Sequence, residues 1–410
     1  MTGSAGRHDV AIIGAGIVGL ATAFTLIDRH PRLRVVVVDK ESRIAHHQSG
    51  RNSGVIHRGV YYAPGSLKAR LCVEGAETLV QFCARRGIPV QLVGKVIVAL
   101  DEAELPALHE LQRRGEANGV PGLRMIDAAE LREIEPHAAG IAALHSPSTG
   151  IVDFGAVVAA YADEFTSRGG EIRLRHRVRG ISEHGDGVTL ETDEGPVIHA
   201  TWLITCGGLQ SDRLAAMSAP SAARDLRIVP FRGDYFVVRP ERRSLVRGLI
   251  YPVPDPRFPF LGVHFTVRHD GEVWAGPNAV LAFRREGYRR LSMSPGELLD
   301  TLTYPGFWRV AGRFWRVGAA EMWRDFVKPA FVAALRRYVP DIAAEDLEPG
   351  PSGVRAQAIA RDGTLVDDFL VERAGRALHV RNAPSPAATS SLGIASLIVD
   401  RAESELGIAE

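Results

Sequence analysis

The chain has 410 residues, which is enough for two or three domain-sized units. Hydrophobic residues make up 46% and charged residues 24%, which is typical of globular proteins and excludes disordered and fibrous classes. Lys and Arg number 49 and Asp and Glu 48, so we expect no nucleic-acid partner, and locally placed cations must hold any anionic substrate. Three cysteines without metal-type spacing predict neither a disulfide framework nor a metal site.

The first apolar segment could be mistaken for a membrane span. Val10 to Ile27 carries no charge, but three glycines at fixed spacing interrupt it, and Asp9 and Asp28 flank it. A strand, a tight turn and a helix explain this pattern better than a transmembrane helix does. Since no secretory signal is recognisable, we expect a cytoplasmic protein without a transmembrane segment. Peripheral contact with the inner face of the cell membrane stays open.

The same segment contains a dinucleotide-binding fingerprint. His8 to Ile13 is typical of a short buried strand, and GAGIVG at 14–19 leads from it into an apolar helix. Arg34 to Val38 predicts a second buried strand, which ends at Asp39. A glycine motif between a strand and a helix, followed by a strand and an acid, is far more specific than the glycines alone.

Each part of the fingerprint has a physical role. Gly14 permits the tight turn, Gly16 lets the backbone approach a pyrophosphate, and Gly19 allows the helix to pack closely on the sheet. The helix N-terminus offers N–H groups to phosphates, and Asp39 can accept hydrogen bonds from ribose hydroxyls. The predicted cofactor site also includes Ile17, Val18 and Lys40. The fingerprint by itself does not separate FAD from NAD.

Periodicity and turn signals predict the elements that follow. The polar loop at 41–66 is too long for a simple connector and is expected to carry function. Helices are predicted near 67–86, 102–118, 153–168 and 389–406 and over much of 295–345. Strands are predicted within 90–100, 172–174, 202–205, 228–283 and 378–381, with a hairpin at 178–192 around the turn HGDG. Cys72 and Cys83 are expected to be buried in the helix near 67–86.

Several blocks resemble the L-2-hydroxyglutarate oxidase/dehydrogenase family of D-amino-acid-oxidase-like flavoproteins. The most specific are GRNSGVIHRGVYY (50–62) and NAPSPAATSSLGIA (382–395). Shorter ones are FLGVHFT (260–266), GPNAVLAF (276–283), REGY (285–288), GVRAQ (353–357) and DDF (367–369). The resemblance runs across essentially the whole chain. It implies FAD-dependent oxidation of L-2-hydroxyglutarate to 2-oxoglutarate by hydride transfer to flavin N5, with oxygen or a membrane quinone as electron acceptor.

The resemblance also implies an α/β fold, in which a Rossmann-type FAD-binding domain carries an inserted α+β substrate domain built on an antiparallel sheet. The FAD-binding domain is expected to be discontinuous, at 1–90, 146–225 and 346–410. The substrate domain is expected at 91–145 and 226–345. One departure is that Asp39 stands where this group more often has Glu, and either acid can bind a ribose diol.

Oxidation of a 2-hydroxy acid at a flavin needs a base for the hydroxyl proton, cations for the carboxylate and a positive dipole beside the reduced flavin. The helix after Asn382 suits the last role, and Thr389, Ser390 and Ser391 are expected to cap its N-terminus. The loop at 49–54 suits close approach to the flavin. With the resemblance, the predicted cofactor site extends to Ser49, Gly50, Arg51, Asn52, Ser53, Val178, Cys206, Gly207, Pro384, Ser385, Leu392 and Gly393.

Two histidines are candidates for the base, because imidazole exchanges a proton near neutral pH. We prefer His264, on a predicted strand of the substrate domain, over His57, which would then orient substrate or flavin. Arg355 is the leading carboxylate anchor, since a guanidinium binds a carboxylate through two hydrogen bonds. Further substrate contacts are predicted for Tyr61, Tyr62, Gln357 and Asn278, the last on the second carboxylate. The run Arg284-Arg285 is expected to be a solvated face.

Two alternatives stay open. Amino acid and amine oxidases share the fold and anchor a carboxylate similarly, but they need no base for a hydroxyl proton, so two candidate histidines favour a hydroxy acid. A related 2-hydroxy acid is the second alternative. In the favoured interpretation the substrate is a small dicarboxylate.

Overall fold

The structure is a computed structural model that describes residues 7–219, 221, 225–254 and 262–408. Residues 260 and 261, which begin the FLGVHFT block, and the predicted strand content at 255–261 lie outside the described residues. Most strands belong to two large sheets, one of eight strands and one of nine.

In chain order the strands are β1 (His8–Ile13), β2 (Val35–Val38), β3 (Val55–Ile56), β4 (Lys95–Ala99), β5 (Arg124–Asp127), β6 (Ala142–Ser146), β7 (Gly150–Ile151), β8 (Glu171–Arg173), β9 (Val178–His184), β10 (Gly187–Thr192), β11 (Ile198–Thr205), β12 (Leu226–Val238), β13 (Leu249–Pro252), β14 (His264–Val267), β15 (Val273–Gly276), β16 (Val280–Leu281), β17 (Leu347–Ala360), β18 (Leu370–Ala374) and β19 (Ala377–Asn382). The helices are α1 (Ile17–Arg29), α2 (Leu67–Arg85), α3 (Leu105–Ala117), α4 (Ala128–Ile134), α5 (Phe154–Ser167), α6 (Ser211–Ser218), α7 (Pro295–Leu302), α8 (Pro305–Phe326), α9 (Lys328–Arg336) and α10 (Ser391–Arg401).

The eight-stranded sheet is built around the fingerprint. Its parallel part has the order β19-β11-β1-β2-β8, and Val10 of β1 pairs with Val35 on one side and Trp202 on the other. The hairpin β9–β10 continues the sheet antiparallel to β11. Helices α1, α2, α5 and α10 cover one face, where Leu20, Leu79 and Ile398 share one apolar core. Because β1 and β2 are covered on both faces, their apolar residues run without alternation.

The nine-stranded sheet has the order β16-β12-β15-β14-β13-β4-β6-β5, with β17 along the other side of β12. Its pairs are antiparallel except for β4 with β13. Helix α9 covers one face through Phe331 and Leu335. The predicted fold class, a Rossmann-type domain with an inserted domain on a largely antiparallel sheet, is confirmed.

The predicted boundary at residue 346 misplaces one long strand. β17 pairs with β12 almost from end to end, and Arg355 lies opposite Phe231 in that register. The strand therefore belongs to the nine-stranded sheet, although the boundary assigned it to the FAD-binding domain. Local sequence shows that a strand forms but not which strand pairs with it. The domain boundary was therefore misplaced because the partner of β17 could not be known from sequence.

The prediction that Arg284 and Arg285 both face solvent is wrong for Arg285. Arg284 is exposed, but Arg285 is only 2% exposed. Its guanidinium Nη2 lies 2.8 Å from a carboxylate oxygen of Asp212 and 3.1 Å from one of Asp300. The partner on α6 lies far away in sequence, which is why the charge pattern alone suggested solvent.

Among the described helices, none combines the length and apolarity needed to cross a bilayer.

Candidate active site

A cavity of about 490 Å³ is lined by residues of both large sheets. The predicted site residues on its wall are Gly14, Gly16, Ile17, Val18, Asp39, Lys40, Ser49, Arg51, Asn52, Ser53, His57, Val178, Cys206, Gly207, Asn278, Arg355, Ser385 and Thr389. Those that do not line it are Gly19, Gly50, Tyr61, Tyr62, His264, Gln357, Pro384, Ser390, Ser391, Leu392 and Gly393. One cavity thus gathers residues that lie more than 300 positions apart in the chain.

The turn between β1 and α1 forms one end of the cavity. Gly14 has a φ of +113°, and a Cβ there would lie 2.4 Å from the carbonyl oxygen of Cys206. A Cβ on Gly19 would lie 1.9 Å from the carbonyl oxygen of Gly14, so the helix can approach the strand only because Gly19 has no side chain. The N–H of Ala15 donates to the Asp39 carboxylate at 2.7 Å. This contact holds the predicted ribose-binding acid beside the turn.

This end of the cavity fits the ADP part of FAD. The first turn of α1 faces the cavity with Gly16 and Ile17, where backbone N–H groups and the helix dipole favour a pyrophosphate. A Cβ on Gly16 would come within 3.1 Å of the Ser49 hydroxyl oxygen, so the glycine keeps this wall open. The hydroxyl of Ser49 also accepts a hydrogen bond from the Ile17 N–H at 2.9 Å, which fixes the functional loop against the helix.

The start of α10 differs from its predicted capping. Ser390 occupies the N-cap position, but no side-chain bond caps the helix, so that prediction is wrong. The Thr389 hydroxyl instead accepts a hydrogen bond from the His57 N–H at 3.1 Å, and the Ser391 hydroxyl lies 3.1 Å from the phenol oxygen of Tyr161. Two of the three hydroxyls therefore join α10 to other segments. Within the described chain, the buried Ser390 hydroxyl has no partner.

The two predicted bases occupy different positions. His57 is half-buried on the cavity wall, and its Nδ1 has no hydrogen-bond partner among the described residues. His264 is 7% exposed, its Nδ1 lies 2.9 Å from the Gly262 carbonyl oxygen, and its ring lies 4.0 Å from that of Tyr251. Burial lowers the pKa of His57 to about 3 and that of His264 to about 4. Both imidazoles are therefore neutral near pH 7 and able to accept a proton.

Arg355 points into the cavity from β17, and its side chain is accessible there. Burial by the surrounding protein lowers its pKa, and the phenol of Tyr235 opposes that shift. Tyr235 also lines the cavity but was not predicted. It lies at an irregularity in the β12–β17 register, between Asp234 and Phe236, and such irregularities redirect side chains toward active sites.

Lys95, at the start of β4, is a second residue that no sequence pattern marks as functional. Its side chain is 2% exposed. After burial, Lys95 contributes most to the lowered pKa of His57, and Arg355 also acts on that histidine. Among the described residues, no carboxylate pairs with Lys95, His57 or His264. The substrate end of the site is therefore rich in positive charge and in neutral bases.

The remaining predicted substrate residues are held by the protein itself. The Asn278 amide accepts from the Asp234 N–H at 2.7 Å and donates to the Asp325 carboxylate at 2.6 Å, which leaves it poorly placed for a second substrate carboxylate. Gln357 donates to the Ala358 carbonyl at 3.1 Å. The amides of Asn278 and Gln357 are therefore both engaged by protein partners.

Comparison with known proteins first defines the class. Residues 9–401 match the family model described as FAD dependent oxidoreductase, known as DAO. Two solved structures share the fold: L-alpha-glycerophosphate oxidase from Mycoplasma pneumoniae (24% identity, TM-score 0.78, 98% of this chain and 96% of that one) and glycine oxidase from Geobacillus kaustophilus (21%, 0.72, 97% and 95%). The chain belongs to the FAD dependent oxidoreductase family, and the predicted cofactor FAD is confirmed.

Curated relatives narrow the comparison. The chain is 51% identical to a mitochondrial L-2-hydroxyglutarate dehydrogenase of Nematostella vectensis, over 97% of this chain and 90% of the relative. It is 49% identical to an L-2-hydroxyglutarate dehydrogenase of Indibacter alkaliphilus (95% and 98%) and 46% identical to the mitochondrial human protein of the same name (98% and 89%). The resemblance read from the sequence blocks is thereby confirmed.

Proposed function

We propose that this protein oxidises L-2-hydroxyglutarate to 2-oxoglutarate, with FAD as the oxidant. The observation that carries the proposal is the surroundings of His57 on the cavity wall: Arg355 on the same wall and Lys95 and His264 behind it all act on this histidine, and no acid pairs with Lys95 or the histidines in the described chain. Such a site suits a small dianion that must lose a hydroxyl proton. The names of the relatives support the same substrate.

The residues divide the chemical work. FAD, when bound, supplies the acceptor for the hydride that leaves the substrate carbon. Arg355 holds the carboxylate next to that carbon through two parallel hydrogen bonds. A neutral imidazole takes the hydroxyl proton. Two observations favour His57 as this base, the reverse of the sequence-based preference: His57 lines the cavity whereas His264 does not, and the Nδ1 of His57 has no partner among the described residues.

Anaerobic reduction of the flavin tests the substrate assignment. Purified holoenzyme is mixed with L-2-hydroxyglutarate, its D-isomer, L-glutamate and sarcosine, and bleaching of the visible flavin absorption is followed. We expect rapid bleaching with L-2-hydroxyglutarate alone, because the other compounds lack either the correct stereochemistry or the hydroxyl group. Faster bleaching by an amine would support the amine oxidase alternative, and an oxidised flavin with every compound would refute the proposal.

Paired histidine variants test the base. We expect His57→Ala to slow flavin reduction by L-2-hydroxyglutarate about 100- to 10,000-fold, the usual contribution of a general base. We expect His264→Ala to slow flavin reduction much less, since the His264 ring does not line the cavity. Equal rates for the wild type and His57→Ala would return the role to His264. Flavin content, measured by absorbance after purification, shows whether both variants stay loaded.

We further propose that the protein docks on an anionic membrane through α8 and delivers electrons to a quinone there. Trp308, Trp315 and Trp323 are 58%, 62% and 63% exposed, and the helical period puts them on one side of α8 together with Phe326. The acids of this helix, Glu321 and Asp325, are buried, whereas its arginines at 309, 313 and 316 are exposed. An aromatic stripe flanked by arginines fits a bilayer interface with anionic lipid.

Co-sedimentation with vesicles tests this surface. We expect the wild type to bind vesicles with about 30% anionic lipid and to bind purely zwitterionic vesicles less. Replacement of the three tryptophans by serine should abolish binding without slowing anaerobic flavin reduction. Leu92→Ser, which removes another exposed apolar side chain (61% exposed), is the matched control. Failure of the wild type to bind, or a dimer that the serine variant dissolves, would overturn the assignment.

A further inference from the structure

Lys95 carries a buried charge that no carboxylate among the described residues neutralises. It is among the largest side chains that are fully buried, with 2% exposure. Its ammonium nitrogen lies 4.8 Å from the ring centre of Tyr61 and 5.1 Å from that of Tyr251. Burial lowers the pKa of Lys95 to about 8, and Cys72, whose own pKa burial raises to about 12, is a neutral thiol that offers no counter-charge. A buried charge without a counter-charge is costly, and such charges persist where an anion binds.

The sheet register places Lys95 on the same face of the nine-stranded sheet as Tyr251 and His264. Lys95 pairs with Leu249, and Leu249 pairs with Thr266 on the next strand. Because side chains alternate along strands, Tyr251 and His264 project from the same face as these residues. Tyr251 therefore contacts both the Lys95 ammonium and the His264 ring, and Lys95 and His264 both act on His57 at the cavity wall.

A second group beside the ammonium also lacks a partner. The phenol oxygen of Tyr61 is buried and has no hydrogen bond within the described chain. An ammonium only donates hydrogen bonds, and the Tyr61 hydroxyl still needs an acceptor for its proton, so an acceptor placed beside both groups would satisfy both. Together they offer what one carboxylate requires, namely a positive charge and a hydroxyl donor.

We propose that Lys95, assisted by Tyr61, binds the second carboxylate of the substrate and so selects dicarboxylates over monocarboxylic hydroxy acids. This assignment rests on the proposed function, in which Arg355 holds the first carboxylate. The four-carbon stem of Lys95 gives its ammonium the reach to meet a carboxylate that enters beside His264. It replaces Asn278, whose amide is engaged by Asp234 and Asp325.

The test compares Lys95→Met with the wild type on two pairs of compounds. Anaerobic flavin reduction is measured with L-2-hydroxyglutarate and with L-2-hydroxybutyrate, which lacks the second carboxylate. Binding of glutarate and butyrate, which do not react, is measured from the change in the flavin absorption spectrum. We expect kcat/KM for L-2-hydroxyglutarate to fall about 100-fold, mainly through KM, and glutarate binding to weaken equally, whereas the butyrate series stays within about threefold.

Two variants control for folding and for charge. Lys328→Met makes the same substitution at a lysine of α9 that binds the Leu347 carbonyl, and it should leave both series unchanged. Lys95→Arg keeps the charge and should retain the dicarboxylate preference, so it tests the proposal even if the methionine variant loses its flavin. Equal losses for dicarboxylates and monocarboxylates in Lys95→Met would overturn it, as would an unchanged preference.

The two proposals fail in different ways. If L-2-hydroxyglutarate does not reduce the wild-type flavin, the proposed function is wrong. Even then, a dicarboxylate site at Lys95 would be supported if the wild type binds glutarate more tightly than butyrate and Lys95→Met does not. If the wild type is reduced but Lys95→Met keeps its preference, only the assignment of Lys95 is wrong.

Discussion

The two ends of the cavity are built from different parts of the chain. At the dinucleotide end, the backbone of one continuous turn lines the cavity, and the absent side chains of Gly14 and Gly19 make room for close packing. At the substrate end, the charged side chains of Lys95 and Arg355, which come from strands distant in sequence, both act on His57. A backbone site fails by losing its cofactor, whereas a side-chain site fails by losing turnover with its cofactor in place.

The largest expected effect is at the backbone end. Gly19→Ala puts a Cβ 1.9 Å from the Gly14 carbonyl oxygen, so α1 must move away from β1. We expect the purified variant to contain less than about a tenth of the wild-type flavin, as measured by absorbance. Gly318→Ala, on α8 with no atom within 4 Å of the new Cβ, should keep its flavin and gain about 0.5–1 kcal/mol of stability. A fully loaded Gly19→Ala would contradict the contrast between the two ends.

A smaller effect, on rate alone, is expected at the side-chain end. Arg355→Met removes the cavity-facing guanidinium, and we expect kcat/KM for L-2-hydroxyglutarate to fall about 1,000-fold, or about 4 kcal/mol, with normal flavin content. Steady-state kinetics and absorbance measure both quantities. Arg361→Met, at an exposed position just after β17, is the control and should change neither. Loss of flavin in Arg355→Met would show that the two ends are not independent.

The smallest expected effect is that of pH on kcat/KM for flavin reduction, which should not change near neutral pH. Burial lowers the pKa of His57 to about 3 and that of His264 to about 4, and a base is active in its neutral form. Protonation of His57, the proposed base, therefore removes activity only as the pH falls toward 3. We expect kcat/KM for flavin reduction to stay level between pH 5 and 7, without the inflection near pH 6.5 of an ordinary histidine. An inflection there would mean that the catalytic imidazole is solvated.

The same contrast explains what the sequence could predict. The strand, turn and helix at residues 8–29 follow from a local pattern, and α2 was predicted to within one residue of its end. Local patterns worked because each involves residues that contact their own neighbours in sequence. The cavity wall at the dinucleotide end was predicted from these patterns together with the family resemblance.

Features that depend on partners from elsewhere in the chain were missed. Lys95 was treated as part of a strand because nothing near it shows that its neighbours are Tyr61 and Tyr251. Arg285 was assigned to solvent because its partner Asp212 is 73 positions away. The hydroxyl of Ser390 stands where a cap is expected, but a residue type that can cap a helix does not have to do so.

The pairing of β12 with β17 also bears on how one flavoprotein fold comes to serve many substrates. Leu226 begins β12 opposite Ala360 at the end of β17, and the Arg361 N–H donates to the Asp225 carbonyl at 3.1 Å. Residues 226–360 therefore leave and re-enter the nucleotide half at a single seam. Evolution, or a protein engineer, can exchange the strands that carry Arg355 and Tyr235 there by joining two adjacent chain ends, while the glycine turn is inherited unchanged.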